Sequence, residues 1–271
     1  MTSVVAAPEM RRPRVTFPHV LRAEWLKFRS VRSSWLTLAV TMLLVIGLGA
    51  LFCAARAAHW PPRDPAEAFT FDPTRISLAG TFLAQLAMGV LGVLVVTGEY
   101  SSGTIRASFT AVPRRLPVYV AKPLVFAVLS LVALIPTTFA AFFIGQQLLS
   151  SKHINTTIGA PGVTRAVVGA ALYLTVVGLF GVALGWLLRH TAGAISSLFA
   201  ILLILPILAQ VLPSPWNDDV SKWLPGQAGQ AIFGIRLEGV SFTPWVGFGV
   251  FCAYVALFLL AGCAVVMRRD A

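Results

Sequence analysis

The sequence predicts an all-α integral membrane protein with six transmembrane helices, and three observations support this prediction. Hydrophobic residues make up 57% of the 271 residues and charged residues only 11%, against about 25% charged residues in a typical soluble domain. The charged residues also separate six long uncharged stretches, each long enough to cross a bilayer once. The sequence lacks the alternation of polar and apolar residues that a membrane β-barrel shows.

The six uncharged stretches define the predicted spans. A charge at the centre of a membrane helix costs about 2.5–3.5 kcal/mol, whereas one Leu or Phe returns only about 0.3–0.6 kcal/mol. The predicted spans are residues 34–55, 77–97, 123–147, 166–188, 192–212 and 244–267. Residues 17–271 therefore form a single six-helix domain in this prediction, and residues 1–16 form a disordered basic N-terminus.

Closely spaced glycines mark the fourth predicted span. Gly181 and Gly185 form a G-x-x-x-G pair, with Gly178 one turn earlier. Small residues at this spacing let two membrane helices approach closely. The contact lies either within one subunit or between two subunits, and the sequence leaves both alternatives open.

The distribution of Lys and Arg predicts the orientation. With the N-terminus inside, 14 of the 21 Lys and Arg residues lie in cytoplasmic segments and 7 in outer segments. Positive residues are enriched on the cytoplasmic side of membrane proteins. We therefore expect a multi-pass protein of the bacterial plasma membrane with both termini in the cytoplasm.

Residues 17–32, immediately before the first span, predict an amphipathic helix. Apolar side chains project from one arc and most basic side chains from the opposite side, as in helices that lie in the membrane interface. The candidate residues of this helix are Glu24, Trp25, Lys27, Phe28 and Arg29. Glu24 projects into the apolar arc, and two explanations remain open. It forms a local pair with Lys27, or it contacts a neighbouring cytoplasmic element.

The loop between the second and third spans, residues 99–122, predicts a short helix. Ser101 and Ser102 can cap its N-terminus, where the carboxylate of Glu99 complements the helix dipole. Apolar residues then recur at helical spacing, at Ile105, Phe109 and Val112. This stripe predicts an exposed apolar edge that either lies on the membrane or contacts another protein.

The sequence contains no recognisable catalytic machinery. No ionisable side chain lies deep in a predicted span, which argues against a proton relay or a cation-driven carrier. No lysine follows a glycine as the phosphate-binding loop of an ATPase requires, and hydrolase motifs are absent. We therefore expect no catalytic residues, no metal site and no cofactor, so that energy for transport comes from another chain.

Two sequence runs resemble a known family. They are E-W-L-K-F-R-S-V-R-S-S-W (24–35) and T-G-E-Y-S-S-G-T-I-R-A-S-F-T-A-V-P-R-R (97–115). They are similar to the permease subunits of type-2 ABC exporters, particularly the actinobacterial branch, and the resemblance covers nearly the whole chain. It implies that segment 17–32 is an elbow helix and that segment 99–112 is a coupling helix docked on a separate ATPase subunit.

The resemblance also implies functional residues and partners. The implied coupling residues are Glu99, Tyr100, Ser101, Gly103, Thr104, Ile105 and Arg106. Residues 213–243 would form outer re-entrant or interfacial helices, with an ordinary loop as the alternative. The partners would be an ABC ATPase that binds ATP and Mg, a second permease copy or related permease, and the lipid bilayer, with no nucleic acid.

The resemblance places spans two and five beside the substrate path. The residues expected there are Phe82, Gln85, Met88, Phe199 and Leu203. Because the spans carry no charge, recognition would depend on apolar burial and a few hydrogen bonds. We therefore expect outward transport of a lipophilic or amphipathic substrate. The alternative function is a sensor or scaffold that anchors an ABC ATPase without transporting anything.

Overall fold

The computed structural model describes residues 16–111, 115–213, 216–235 and 242–268, so the prediction for residues 1–15 lies outside the described residues. The helices are, in chain order, α1 (Phe17–Ser30), α2 (Arg32–Ala58), α3 (Pro65–Thr70), α4 (Pro73–Ser77), α5 (Thr81–Ser101), α6 (Thr104–Ala111), α7 (Arg115–Ser150), α8 (Val163–Leu188), α9 (Thr191–Phe199), α10 (Leu205–Gln210), α11 (Trp216–Trp223), α12 (Pro225–Gln230) and α13 (Pro244–Arg268). A π-helical turn (Ala200–Ile204) joins α9 to α10, and a 3₁₀ turn (Ala231–Phe233) follows α12.

Six helical stretches among the described residues are long and apolar enough to cross a membrane, which confirms the predicted fold class. They are α2, α5, α7, α8, the continuous helix from α9 to α10, and α13. The third of them begins earlier than its predicted start at residue 123, because α7 starts at Arg115. Lys122 therefore lies inside a helix rather than in a loop.

The two ends of the bundle carry different short elements. The basal end holds α1, α6 and the C-terminal end of α13, where Arg115 and Arg189 donate hydrogen bonds to the carbonyl oxygens of Val266 and Val265. The distal end holds α3, α4, α11 and α12. These names are used below for the two ends.

The core of the bundle forms where α5 and α8 run parallel to each other. A Cβ atom added to Gly92 would overlap the carbonyl oxygen of Gly178, and one added to Gly181 would overlap that of Gly89. The two backbones are therefore in direct contact, as small residues in membrane helices allow. The glycines of the fourth span thus pack within one subunit, which was one of the two alternatives that the sequence left open.

The described part of the distal segment after α10 contains the helices α11 and α12 and a 3₁₀ turn. The side chain of Arg165 donates hydrogen bonds to the carbonyl oxygens of Ile232 and Gly234, at 2.9 Å each. Gly229 of α12 lies against the rings of Tyr173 and Phe251, which belong to α8 and α13. Helix α12 is therefore inserted between two spans, whereas α11 exposes its tryptophans at the surface.

Candidate coupling site at the basal end

Four charged side chains meet at the basal end of the bundle. The Nζ atom of Lys122 lies 2.6 Å from Oε2 of Glu24 and 2.8 Å from Oε1 of Glu99. The Nζ atom of Lys27 lies 2.7 Å from Oε1 of Glu24 and 3.1 Å from Oε1 of Glu99. We call this group the basal ion cluster. It contains two lysines and two glutamates, so its formal charge is zero.

The basal ion cluster joins three helices and is hydrogen-bonded to a fourth. Glu24 and Lys27 lie on α1, Glu99 lies near the end of α5, and Lys122 lies on α7. Lys27 also donates a hydrogen bond of 2.9 Å to the hydroxyl of Ser108, which lies on α6. A displacement of α6 therefore acts directly on the contacts that hold α1 against α5 and α7.

Burial makes the cluster sensitive to the loss of any member. The side chains of Glu24 and Lys122 are only 4% and 3% exposed. Removing one partner of such a buried pair leaves the other charge without compensation, which costs far more than the loss of a surface pair. The cluster is thus a specific contact that depends on all of its members.

The charges of the cluster shift the pKa values of its two members on α1. Burial by itself would raise the pKa of the Glu24 carboxyl group, but the ammonium groups of Lys122 and Lys27 outweigh burial and hold the pKa below its ordinary value of 4.5. Burial would lower the pKa of Lys27, but Glu24 and Glu99 outweigh it and raise the pKa. Glu24 and Lys27 are therefore both charged at neutral pH.

Both explanations offered for Glu24 hold at once, because Glu24 pairs locally with Lys27 and across the fold with Lys122. Sequence reasoning did not find Lys122, which it counted only as a positive cytoplasmic residue. The signal was the position of Glu24 in an apolar arc, since a buried carboxylate requires a buried cation. The position of Glu24 shows that its carboxylate needs a cationic partner but does not show which residue is that partner.

The rest of α1 divides between the bundle and its surroundings. Phe28 is buried and its ring makes edge contacts with the rings of Trp35 and Phe126, at centroid distances of 6.0 and 6.4 Å. Trp25 and Arg29 lie on the exposed side of the helix. Helix α1 thus places one apolar face on the spans and leaves a tryptophan free to enter a membrane interface.

The predicted coupling segment, residues 99–112, is not one helix: Glu99 and Ser101 belong to the end of α5, and α6 begins only at Thr104, with its apolar residue Ile105 facing inward. Ile105 is only 3% exposed and belongs to the main core. The exposed surface of α6 instead carries Thr104, Arg106 and Ala107. The expected apolar edge is therefore not exposed at Ile105; of the other two stripe residues, the side chain of Phe109 and all of Val112 lie outside what the structure describes.

The turn before α6 forms one wall of a cavity of about 450 Å³. Gly103 has a positive φ of 72° and nothing lies within 4 Å of an added Cβ atom. The cavity is also lined by Tyr100, Ser101 and Ser102 and by two arginines, Arg106 and Arg189. The guanidinium carbon of Arg189 lies over the ring of Tyr100, 5.3 Å from its centroid, and this cation–π contact stabilises the packing of the two side chains. Five of the seven predicted coupling residues thus line one recess that carries two arginines, whereas Glu99 and Thr104 do not line it.

Comparison with known families identifies the family of the chain. The family model described as ABC-2 family transporter protein matches residues 20–215. The chain belongs to the ABC-2 transporter family. The match begins in α1, includes every residue of the basal ion cluster, and ends beyond α10. No curated protein matches the chain.

Membership in the ABC-2 family identifies the chain as a membrane component of a transporter. ABC-2 permeases are the membrane components of transporters and normally work with an ABC ATPase subunit. The six apolar helices agree with a multi-pass permease. The recess beside α6 and the basal ion cluster are therefore features of a transport protein.

Within this ABC-2 permease, the residues expected along the substrate path do not share one surface. Gln85 and Met88 are fully buried, and Gln85 accepts a hydrogen bond from Tyr173 of α8. Phe82 is 54% exposed on the same helix. Phe199 and Leu203 of the fifth span are half-buried. Gln85 and Met88 therefore lie in the core of the subunit. A role of the five residues in a substrate path stays a prediction.

Proposed function

We propose that this ABC-2 permease exports a lipophilic or amphipathic substrate, with energy from ATP hydrolysis in a separate ATPase subunit. The observation that carries the proposal is the connection of α6 to three other elements through Lys27 and the basal ion cluster. A short helix that is hydrogen-bonded to Lys27, and through Lys27 and Glu99 is connected to the base of α5 and α7, is suited to transmit a push from a partner. An isolated connector would not need these contacts.

The proposed mechanism follows from the continuity of the helices. Closure of the ATPase pair would displace α6, and the displacement would pass to α5 and α7 through Glu99 and Lys122. Because helices are stiff over this length, movement at the basal end changes the packing at the distal end. Such rigid-body switching is a common way for a protein to close one opening and open another.

We further propose that both termini are cytoplasmic, so that the basal end faces the ATPase. The excess of Lys and Arg in the basal segments supports this orientation. Single cysteines substituted for Arg63 and Lys222 should react with a membrane-impermeant maleimide added from outside. Cysteines at Arg114 and Arg268 should react only after permeabilisation. Labelling of either basal position in intact cells would contradict the orientation.

Two permease subunits, either two copies of this chain or one copy with a related permease, would form the complete pore above two ATPase subunits. The half-buried Phe199 and Leu203 and the exposed Phe82 are the predicted path residues that remain available to a neighbouring subunit. Cross-linking of cysteines at these positions in membranes would detect such a pairing.

Glu99 and Gly103 provide the test of coupling. The Glu99→Gln variant removes one charge from the basal ion cluster, and Gly103→Ala forces a side chain into a left-handed turn that favours glycine. Each variant should insert into the membrane but reduce transport per ATP hydrolysed by about fivefold or more. The matched control is Glu67→Gln, which removes an exposed carboxylate at the distal end.

The outcome of this test separates two functions. If the variants transport normally and still bind the ATPase, then α6 is only a connector and the coupling proposal fails. If the wild-type complex hydrolyses ATP in vesicles but moves no hydrophobic compound, the protein is a scaffold or a sensor instead. Stimulation only by sugars, phosphate or metal ions would refute the substrate class and leave the fold unaffected.

A further inference from the structure

A second basal cavity lies beside the basal ion cluster, between the junction of α1 and α2 and the helices α5 and α7. Its volume is about 490 Å³, within the range of about 300–1,000 Å³ that is typical of small-molecule sites. Leu91, Leu94 and Val95 of α5 form one wall, and Val125 and Phe126 of α7 form another. The cavity is thus mainly apolar, with polar groups concentrated at one end.

The polar end is the N-terminus of α2. This helix of 27 residues begins at Arg32 after Val31, and no side chain caps it. In the first turn the N–H of Ser34 donates to the carbonyl oxygen of Val31, but the first N–H groups of an uncapped helix otherwise lack acceptors and carry a partial positive charge, which favours an anion. Ser33 and Ser34 of the first turn line the cavity. Ser34 is 6% exposed, and its hydroxyl makes no hydrogen bond within the described residues.

The accessible charge at the same end is positive. The side chain of Lys27 is 35% exposed, whereas those of Glu99 and Glu24 are 12% and 4% exposed. Both carboxylates are paired with lysine ammonium groups in the basal ion cluster, whose formal charge is zero, although Oε2 of Glu99 is buried without a hydrogen-bond partner among the described residues. The polar part of the lining therefore consists of the basal ion cluster with the partly exposed ammonium group of Lys27, five Ser and Thr residues, and the N-terminus of α2.

We propose that this cavity binds an anionic amphiphile. Its phosphate or carboxylate head would lie at the N-terminus of α2, in contact with Ser33, Ser34 and Lys27. Its apolar body would lie along Leu94 of α5. The same chemistry occurs in an anionic phospholipid of the adjoining leaflet and in a free fatty-acid-like compound. Only the second would be a transported substrate, and that part of the inference rests on the proposed function.

Photolabelling of the purified permease in phosphatidylcholine nanodiscs, without any ATPase, tests the site. Three probes carry the same diazirine-bearing chain: a phosphatidic acid, a free fatty acid and a phosphatidylcholine. We expect the anionic probes to label residues 91–95 and 125–126 about tenfold more than the phosphatidylcholine probe. Labelling by the phosphatidic acid alone identifies a leaflet lipid, and labelling by the fatty acid identifies a free amphiphile. Equal labelling by the zwitterionic probe, or no labelling of these residues, overturns the proposal.

Two variants exclude an indirect effect on folding. Ser33→Asp places a negative charge at the N-terminus of α2, which favours the helix itself but repels an anion. Leu94→Trp fills the apolar part of the cavity without touching a charged group. Both should lose the labelling, whereas Leu83→Trp, on an exposed part of the same helix, should retain it. Undiminished labelling in the Ser33→Asp variant would overturn the proposal. Because no ATPase is present, this result is independent of the coupling test.

Discussion

The ammonium group of Lys122 lies 2.6 Å from the carboxylate of Glu24, although 98 residues separate them in the sequence. This pair fixes the position of α1 against α7, because both side chains are almost completely buried. Through Glu99 and Lys27 the same pair is connected to the end of α5 and to α6. A helix before the first span and a helix after the second are thus held by one group of charges.

The first prediction concerns removal of one charge from this pair. Glu24→Gln leaves the buried ammonium group of Lys122 with weaker compensation, so we expect a loss of about 3 kcal/mol in the stability of the α1 contact. Thermal unfolding in detergent and hydrogen exchange of α1 measure this loss. Glu67→Gln is the control, because its pair with Arg56 is exposed and should contribute about 1 kcal/mol or less. Equal effects of the two substitutions would contradict the role of burial.

The second prediction is a pH dependence with a defined sign. Because the cluster lowers the pKa of Glu24 in the folded state, its contribution is complete above the ordinary value of 4.5 and is lost as the pH falls through the lowered pKa. The raised pKa of Lys27 acts in the opposite direction, so its contribution is lost only in strongly alkaline solution. Proteolytic release of α1 should therefore increase below pH 4.5 and stay constant near neutrality. The Glu24→Gln variant should lose most of the acid dependence.

The sequence predicted the six spans because transfer into lipid depends mainly on local composition, and a single charge dominates that energy. It also singled out Glu24 as a residue that required a partner. It could not identify Lys122, because that contact depends on how α1 packs against α7. The start of α7 at Arg115 was not predicted for the same reason. Composition alone places the charge of Lys122 in a loop, whereas in the fold the two glutamates of the basal ion cluster compensate this charge within a helix.

The orientation of side chains was less predictable than the position of helices. The helical spacing of Ile105 correctly indicated an amphipathic helix, but periodicity does not say whether the apolar side faces the bundle or a partner. The absence of charge in the spans likewise does not distinguish the exposed Phe82 from the buried Gln85. In both cases the deciding factor is the neighbouring helix, which sequence spacing does not encode.

The third prediction tests the close approach of α5 and α8. A Cβ atom at Gly92 would overlap the backbone of Gly178, so Gly92→Ala should force the helices apart and cost about 1–3 kcal/mol. Gly47→Ala is the control, because nothing lies within 4 Å of a Cβ atom there. That substitution should be neutral or stabilising by about 1 kcal/mol, since Ala favours a helix. Thermal unfolding of both variants in the same detergent gives the comparison, and equal melting temperatures would argue against direct backbone contact.

A chain of hydrogen bonds connects α5 to the distal segment. The hydroxyl of Tyr173 donates to the side-chain carbonyl of Gln85 and accepts from the side-chain amide of Gln230, the latter at 3.4 Å. Gln85 and Tyr173 are fully buried, whereas Gln230 belongs to α12. The ring of Tyr173 also packs on Phe233 and Phe251, with centroid distances of 5.4 and 5.7 Å. One side chain of α8 therefore joins the second span to the inserted helix α12.

The fourth prediction follows from this chain. Tyr173→Phe keeps the ring contacts but leaves the buried carbonyl oxygen of Gln85 without its donor, which should cost about 1–3 kcal/mol. Because Gln230 loses its acceptor as well, α12 should open more often and its amides should exchange hydrogen faster. Tyr254→Phe is the matched control, since the half-buried hydroxyl of Tyr254 makes no hydrogen bond within the described residues. Unchanged exchange in residues 225–233 of the Tyr173→Phe variant would mean that aromatic packing, and not the hydroxyl, holds α12 in place.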